Sequence, residues 1–397
     1  MTGDRAEGGA LILAGRRTPI ARLDGELATL DAQALAAIVV RALVEDVGIA
    51  PDAVADVILA TAAGPGGNLA RRVALDAGLA TSVPGMTIDR QCGGGLDAIV
   101  LACRLVEAGA GELYIAGGVE SASTSPLREE ASQDEGRGGR RFFPRRMFAG
   151  GGHDDPGMAE SAETIAAEWG IPRSCQDAYA ARSHQRAGAA RAAGAFAREI
   201  VPCTIALPQG PRVVDEDSCP RATLTPERLG RFPAIVTVEG TVTAGNASQI
   251  ADGAAAVVVA SRRMAARLGR LGLRHLDSCS VGVDPRLCGI GGVAAVRLLG
   301  DRNPQFQVAA LTQVAFTEAF ASQTLATIDD LGIDERMVNP HGGAIGLGHP
   351  WGASGAIQVV RLLSDLAGRG GETGLALAAI AGGMGTAAWF TADVSAG

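Results

Sequence analysis

The chain has 397 residues, 47% of them hydrophobic and 20% charged, which is ample for one large core or two fused domains of similar size. A net charge of −8, two Tyr and three Trp argue against a nucleic-acid surface, and all 35 basic residues are arginine, which excludes a lysine Schiff base. Seven cysteines without a Cys-x-x-Cys pair disfavour a zinc site or a disulfide framework, and no apolar run is long enough to span a bilayer.

The N-terminal residues 1–10 are polar and glycine-rich and lack the apolar core of a signal peptide, so a soluble, cytoplasmic protein is expected. Residues 10–14 read as a short buried strand. Residues 31–47 read as a helix with Leu35, Ile38, Val39 and Leu43 on one face. A strand at 57–60, helices at 68–77 and 95–108, and a strand at 113–116 follow. This alternation predicts a largely parallel sheet covered on both faces. Residues 123–157 are rich in Arg, Gly, Ser and acidic residues and read as a long irregular excursion. Residues 161–193 read as two helices, 254–260 as a buried strand, 293–299, 317–327 and 352–366 as helices, and 375–380 and 387–394 as strands. The two ends therefore read as two α/β halves with an insertion after the first.

Two segments carry chemistry. Cys92, in Asp89-Arg90-Gln91-Cys92-Gly93-Gly94-Gly95-Leu96, follows an extended stretch and precedes an apolar helix. Unpaired N–H groups and the helix dipole at such a position favour a thiolate and can hold the oxygen of an acyl thioester. The plainer alternative is a buried packing cysteine, as Cys103 in the same helix is read. His349 lies in Asn339-Pro340-His341-Gly342-Gly343-Ala344-Ile345-Gly346-Leu347-Gly348-His349-Pro350-Trp351-Gly352. A neutral imidazole there can accept a thiol proton and return it; the plainer alternative is a histidine that caps a helix. His341 reads as a second imidazole facing a ligand or as a buried hydrogen-bonded group. His153, His184 and His275 read as surface residues. Trp351 is either a wall of an acyl pocket or core. The basic run at residues 140–146 reads as a phosphate or carrier-protein contact, a subunit contact, or a solvated turn.

The chain resembles the thiolase family nearly end to end. The matching blocks run from Arg17-Thr18-Pro19-Ile20 through Ala116-Gly117-Gly118-Val119-Glu120-Ser121, Gln176-Asp177-Ala178-Tyr179-Ala180 and Gly240-Thr241-Val242-Thr243-Ala244-Gly245-Asn246-Ala247-Ser248. They continue through Asp252-Gly253-Ala254-Ala255-Ala256, Glu318-Ala319-Phe320-Ala321 and the His349 turn to Gly382-Gly383-Met384-Gly385. The resemblance implies an α/β fold of two similar βαβαβαββ halves in a five-layered αβαβα core. The halves are 1–122 with 248–274, and 275–397, and a loop domain at 123–247 binds coenzyme A and makes subunit contacts. It implies a homodimer or homotetramer. It implies no permanently bound cofactor and no metal, with a coenzyme A thioester as substrate. Cys92 is implied to take the acyl group and His349 to activate it, with an oxyanion hole from the N–H groups of Cys92 and Ala381. Arg221 and Ser248 match positions along the coenzyme A site, and Met158, Ala244, Ala319 and Phe320 match the pantetheine channel.

Four departures bear on mechanism. The second cysteine of the family is Ala379 here, and the Asn of its Asn-Glu-Ala-Phe block is Thr317. The Asn before the nucleophile block is Asp89, and one oxyanion-hole glycine is Ala381, whose torsion is in question. Acyl loading keeps its parts. Making a carbon nucleophile loses its base and the Asn that fixes a water, at a cost of ~10²–10⁴ for a general base and on the order of 10²–10³ for an oxyanion donor.

The expectation is therefore acyl transfer from acyl-CoA through Cys92 to an acceptor that needs no second cysteine. Such an acceptor is a decarboxylated or stabilised carbon, or an O, N or S nucleophile, including an acyl carrier protein or a small molecule, in specialised biosynthesis. The alternatives are an ordinary Claisen thiolase with His341 or Cys288 as substitute base, a thioester hydrolase, and a catalytically silent acyl-CoA-binding protein that stabilises a partner.

Overall fold

A computed structural model describes residues 9–127, 129–131, 140–142 and 147–393. Residues 1–8, residues 143–146 of the basic run and residue 394 of the strand expected at 387–394 lie outside the described residues, and at 140–142 only the backbone is described.

Three apolar cores account for the layering. The first lies between the helices Ala32–Val47 and Leu69–Asp76 and one face of the first half's strands. The second surrounds the helices Gly94–Glu107 and Trp351–Leu366, which pack on each other and together touch strands of both halves. The third lies between the second half's strands and the helices Gly291–Arg302 and Ala321–Leu331. Helices, sheet, helices, sheet and helices thus follow one another, the five layers that the resemblance implies.

The strand Ala251–Ser261 shows how sequence sets this order. Ala255, Val257 and Val259 enter the central core, whereas Ala254, Ala256, Val258 and Ala260 enter the outer one. Alternate residues of a strand face opposite sides, so a strand covered on both sides is an unbroken apolar run.

The sheet is mixed, which corrects the expectation of a largely parallel one. Its order is Gln313–Phe316, Thr373–Ile380, Met384–Ala392, Leu273–Gly282, Ala10–Arg17, Ala251–Ser261, Leu113–Glu120, Asp56–Ala60 and Gly85–Ile88. Only three neighbouring pairs along it are parallel, Asp56–Ala60 with each of its neighbours and Gln313–Phe316 with Thr373–Ile380. The halves join where Leu11 and Ile12 pair with Arg274 and Leu273.

Local chemistry sets several boundaries. Asp31 accepts from the Ala34 N–H at 2.8 Å and caps the first helix, which ends at Gly48 in the left-handed region (φ 72°). The helix expected at 317–327 begins instead at Ala321, because Phe320 before it is extended (φ −142°, ψ 150°) and residues 317–319 are irregular. Arg17 is fully buried and paired with Glu199 (3.0 Å) and Asp217 (2.7 Å), so the start of the Arg-Thr-Pro block is an internal ion cluster. Among the described residues, no helix is long and apolar enough to cross a membrane.

Candidate active site

The site forms where the two central helices cross near their N-termini. A Cβ on Gly95 would stand 2.7 Å from the Gly352 carbonyl oxygen, and one on Gly355 would stand 2.4 Å from the Leu96 nitrogen. Only glycine permits so close an approach of backbones. The short 3₁₀ turn Gln91–Gly93 leads into the first helix, and His349 lies two residues before the second. The crossing brings their side chains together: His349 Nε2 is 3.3 Å from Cys92 Sγ.

Each partner is held from behind. Asp89 Oδ1 accepts from the Gln91 N–H at 2.9 Å, supporting Gln91 in the left-handed region (φ 45°), which is unfavourable for a side-chain residue. Asp89 thus acts as an acceptor within its own turn. His349 follows Gly348 (φ 99°), where a Cβ would meet Cys219 Sγ at 2.9 Å. Its ring is fixed by Ser354 Oγ, 2.6 Å from Nδ1, and its N–H donates to the Gln249 carbonyl at 2.8 Å. Glu120, buried, accepts from the N–H groups of Ala62 (2.9 Å), Ala63 (3.0 Å) and Gly352 (3.0 Å), tying the second helix to the first half's sheet. Glu318, also buried, gathers Tyr179 (2.8 Å), Ser183 (2.6 Å), Asn339 (2.7 Å) and the Ile345 N–H (3.2 Å) around the histidine turn.

Electrostatics correct the expectation of an acidic thiol. Burial first, then the charges of Cys288 and Glu120, push the Cys92 thiol up to about 12. Burial pushes the His349 imidazole down to about 4. The resting pair is therefore a neutral thiol and a neutral imidazole, an arrangement in which Nε2 can accept a thiol proton. For Nε2 to accept, Nδ1 carries the hydrogen and donates it to Ser354.

The coenzyme A candidates fall into two groups. The Ser248 N–H donates to the Ala319 carbonyl at 2.8 Å, Ala247 bridges to Phe320, and Ile250 bridges to His349 itself. Arg221, exposed, reaches Gln249 Oε1 at 3.3 Å, and exposed Ala244 lies earlier on the same loop. Met158 comes from another element, the start of the helix Met158–Glu168, which packs on the helix that follows Phe320, and lies 3.8 Å from the Cys288 sulfur.

The altered positions are buried. Ala379 brings no titratable atom to the end of the strand Thr373–Ile380. Ala381 is not among the residues with positive φ, so its methyl group is accommodated without left-handed strain, while Gly382 (φ 83°) and Gly383 (φ 77°) make the turn after it. This end of the strand meets the nucleophile turn, since a Cβ on Gly93 would lie 2.3 Å from Ile380 Cδ1. Thr317 Oγ1 accepts from Gln358 Nε2 at 2.7 Å. Thr317, Gln358, Ser354 and His341 line a cavity of about 50 Å³ on the Nδ1 side of His349, and Gln358 Oε1 there is buried without a protein partner.

His341 bonds to Arg361 (2.9 Å) and Asp365 (3.2 Å) on that side, half-buried. Two histidines expected at the surface are buried instead. His184 accepts from the Arg221 N–H (3.3 Å), and His275 bonds to Glu107 (2.8 Å) and Ser278 (3.1 Å). Polar neighbours in the sequence suggested exposure, but Arg221 and Glu107 arrive from distant segments to cover and bond these rings, and only Ser278 is local. Cys103 is core, as expected. Ser354 could have been found from the sequence, since it falls in the first helical turn after the histidine. Glu318 and Cys288 were visible in the sequence as a motif residue and a candidate base, but their partners were not, because Tyr179, Ser183 and Asn339, and Ser161 and Met158, come from distant segments. Among the described residues, no group of three or more His, Cys, Asp or Glu could share a metal ion.

Comparisons with known proteins agree with this architecture. Residues 10–263 match the family description "Thiolase, N-terminal domain", and residues 272–392 match "Thiolase, C-terminal domain". The beta-ketoadipyl-CoA thiolase of Pseudomonas aeruginosa is 44% identical over 387 residues, covering 94% of this chain and 96% of the relative. An acetyl-CoA acetyltransferase of Thiocystis violacea is 42% identical, covering 95% and 97%. The crystal structure of Bacillus anthracis acetyl-CoA acetyltransferase superposes with a TM-score of 0.91 at 35% identity, covering 98% of this chain and all (100%) of that one. Human mitochondrial 3-ketoacyl-CoA thiolase gives 0.89 at 32% identity, covering 97% and 99%.

Proposed function

The chain belongs to the thiolase family and has its fold, and from that premise we propose that it loads an acyl group from acyl-CoA onto Cys92 and passes it on. The observation that carries this reading is the 3.3 Å approach of His349 Nε2 to Cys92 Sγ, with Ser354 setting the tautomer. In loading, Cys92 attacks the thioester carbonyl while His349 takes its proton. The N–H groups of Cys92 and Ala381 receive the oxyanion. Arg221 and Ser248 hold coenzyme A, and Met158, Ala244, Ala319 and Phe320 line the path of its pantetheine arm.

The acceptor is a nucleophile that needs no carbon deprotonation by a cysteine at position 379. It is a carbon unmasked by decarboxylation or otherwise stabilised, or an O, N or S nucleophile on a small molecule or an acyl carrier protein. Ala379 and Thr317 motivate this half of the reading. The names of the relatives favour a second reading, an ordinary condensation of two acyl-CoA molecules.

Intact-protein mass spectrometry after mixing with acetyl-CoA tests the first step. An acetyl adduct is expected on the unchanged chain and absent in Cys92→Ser; no adduct with any acyl-CoA would favour a silent binding protein. Acetoacetyl-CoA formation tests the second. Condensation at rates typical of thiolases would establish the ordinary reaction and refute the proposed acceptor, and free acid released at the rate of adduct loss would indicate hydrolysis.

A further inference from the structure

Cys288 is a buried thiol in the second half for which the loading step above has no use. It sits on the 3₁₀ turn Pro285–Ile290, which leads into the twelve-residue helix Gly291–Arg302. Cys92 stands in the same setting, a 3₁₀ turn feeding a helix, in the first half. The sulfur of Cys288 donates to Ser161 Oγ at 3.3 Å and lies 3.8 Å from Met158 Sδ. Ser161 in turn donates to the Arg286 carbonyl at 2.8 Å, so its oxygen is left to receive the thiol hydrogen. The turn packs on the strand Thr373–Ile380, which ends at Ala379–Ile380 against the nucleophile turn. A Cβ on Gly383 would stand 2.7 Å from the Pro285 nitrogen, so the Cys288 turn also borders the turn that follows Ala381. Both cysteine turns therefore flank the same strand end. The neighbour of Cys288, Met158, is the residue that the family resemblance sets on the pantetheine channel.

We propose that Cys288 is the acid that protonates the coenzyme A sulfur as it leaves, and the base that takes a proton from the incoming acceptor. This rests on the acyl-loading reading and supplies its second proton carrier. The cycle balances. Cys92 sulfur bonds to the acyl carbon while its proton passes to His349 Nε2. The carbon–sulfur bond to coenzyme A breaks, and that sulfur takes the Cys288 proton and departs as a thiol. The site then holds acyl-Cys92, a His349 imidazolium and a Cys288 thiolate. An acceptor bearing an O–H, N–H, S–H or acidic C–H gives that proton to Cys288 and attacks the acyl carbon; Cys92 is expelled as the thiolate and takes back the proton held by His349. A carbon unmasked by loss of carbon dioxide brings no proton, and Cys288 is then reprotonated from solvent. Burial holds the Cys288 thiol above its ordinary range, so it rests protonated, as an acid must until the leaving thiolate forms. His341, the other candidate for this role, faces the cavity on the opposite side of His349.

The test varies the leaving group, because an acid matters most where the departing thiolate is basic. Cys92 loading is timed by intact-protein mass spectrometry from acetyl-CoA and from S-acetyl-4-nitrothiophenol, whose thiolate departs without help. In Cys288→Ala and Cys288→Ser, loading from acetyl-CoA falls ~10²-fold, the low end of general acid catalysis. The ratio of aryl-ester to acetyl-CoA rates rises at least tenfold. A second measurement needs no aryl ester: imidazole buffer speeds acetyl-CoA loading of Cys288→Ala at least fivefold and leaves the unchanged chain unaffected. A structural role slows both esters alike and gives no buffer rescue, and that result overturns the assignment. If the unchanged chain accepts acetyl from neither ester, the loading reading itself falls and this assignment with it.

Discussion

Removing the Ser354 hydroxyl is the sharpest probe of the resting state of the pair. Before attack, the bond from neutral Nδ1–H to Ser354 Oγ (2.6 Å) is worth ~1 kcal/mol. As Nε2 takes the thiol proton the ring becomes an imidazolium, and the same bond, now charge-assisted, rises to about 1.5–3 kcal/mol. The difference, ~0.5–2 kcal/mol, stabilises the transition state only, and at 1.36 kcal/mol per decade it predicts a fall of ~2–30-fold in loading rate for Ser354→Ala. Rapid-quench mixing with acetyl-CoA, read as the mass increment on Cys92, measures it. Ser354→Thr keeps the hydroxyl and is expected to stay within about threefold, since the hydrogen bond to Nδ1 survives. The rate should also be flat from pH 5 to 9, because the imidazole titrates near 4 and the thiol near 12. A Ser354→Ala rate within twofold of the unchanged chain, or an inflection of the rate near pH 7, would refute a neutral pair.

Other tests address position, pH and chemistry. Gly355→Val sets a Cβ 2.4 Å from the Leu96 nitrogen. Overpacking of this kind costs ~1–3 kcal/mol; urea unfolding should show that loss, and loading should fall further than stability does as the helices separate. His184 and His349 each titrate near 4 when folded against 6.5 ordinarily, so below pH 6.5 the unfolded chain binds protons that the folded one refuses. Stability is full above 6.5 and falls as pH drops towards 4, by ~2 kcal/mol per histidine between pH 7 and 5. His184→Gln should lose ~2 kcal/mol less over that interval in urea titrations, and an equal loss would show that His184 does not contribute. Ala379→Cys, alone or with Thr317→Asn, should raise acetoacetyl-CoA formation by ~10²-fold or more if carbon deprotonation is limiting; no gain would place the limit elsewhere.

Cys92 and His349 were legible because each stands in a glycine-rich turn ahead of an apolar helix, a pattern that chemistry and local backbone impose together. Their meeting was legible only through the resemblance, since 257 positions separate them. The acidity of the thiol was misjudged because two effects compete and only one is local. The helix terminus offers 0.3–1 kcal/mol, up to ~2 in favourable geometry. Burial is set by distant segments, and the net shift from 9.0 to about 12 corresponds to ~4 kcal/mol the other way. Strand direction failed for a similar reason. A run such as Ala251–Ser261 is apolar on both faces whichever way its neighbours point, and its neighbours on the central path run antiparallel. The departure at Asp89 was visible, but its role as acceptor for the Gln91 N–H was not.

Cys92 and His349 are supplied by opposite halves and meet only through the crossing of the central helices. A polypeptide still emerging from the ribosome therefore carries the sulfur for some 250 residues before its imidazole is synthesised. If His349 is the base, a chain truncated before it is expected to take up no acyl group from acetyl-CoA even where its first half has folded, and an acetyl adduct on such a chain by intact-protein mass spectrometry would show that the sulfur reacts without the imidazole.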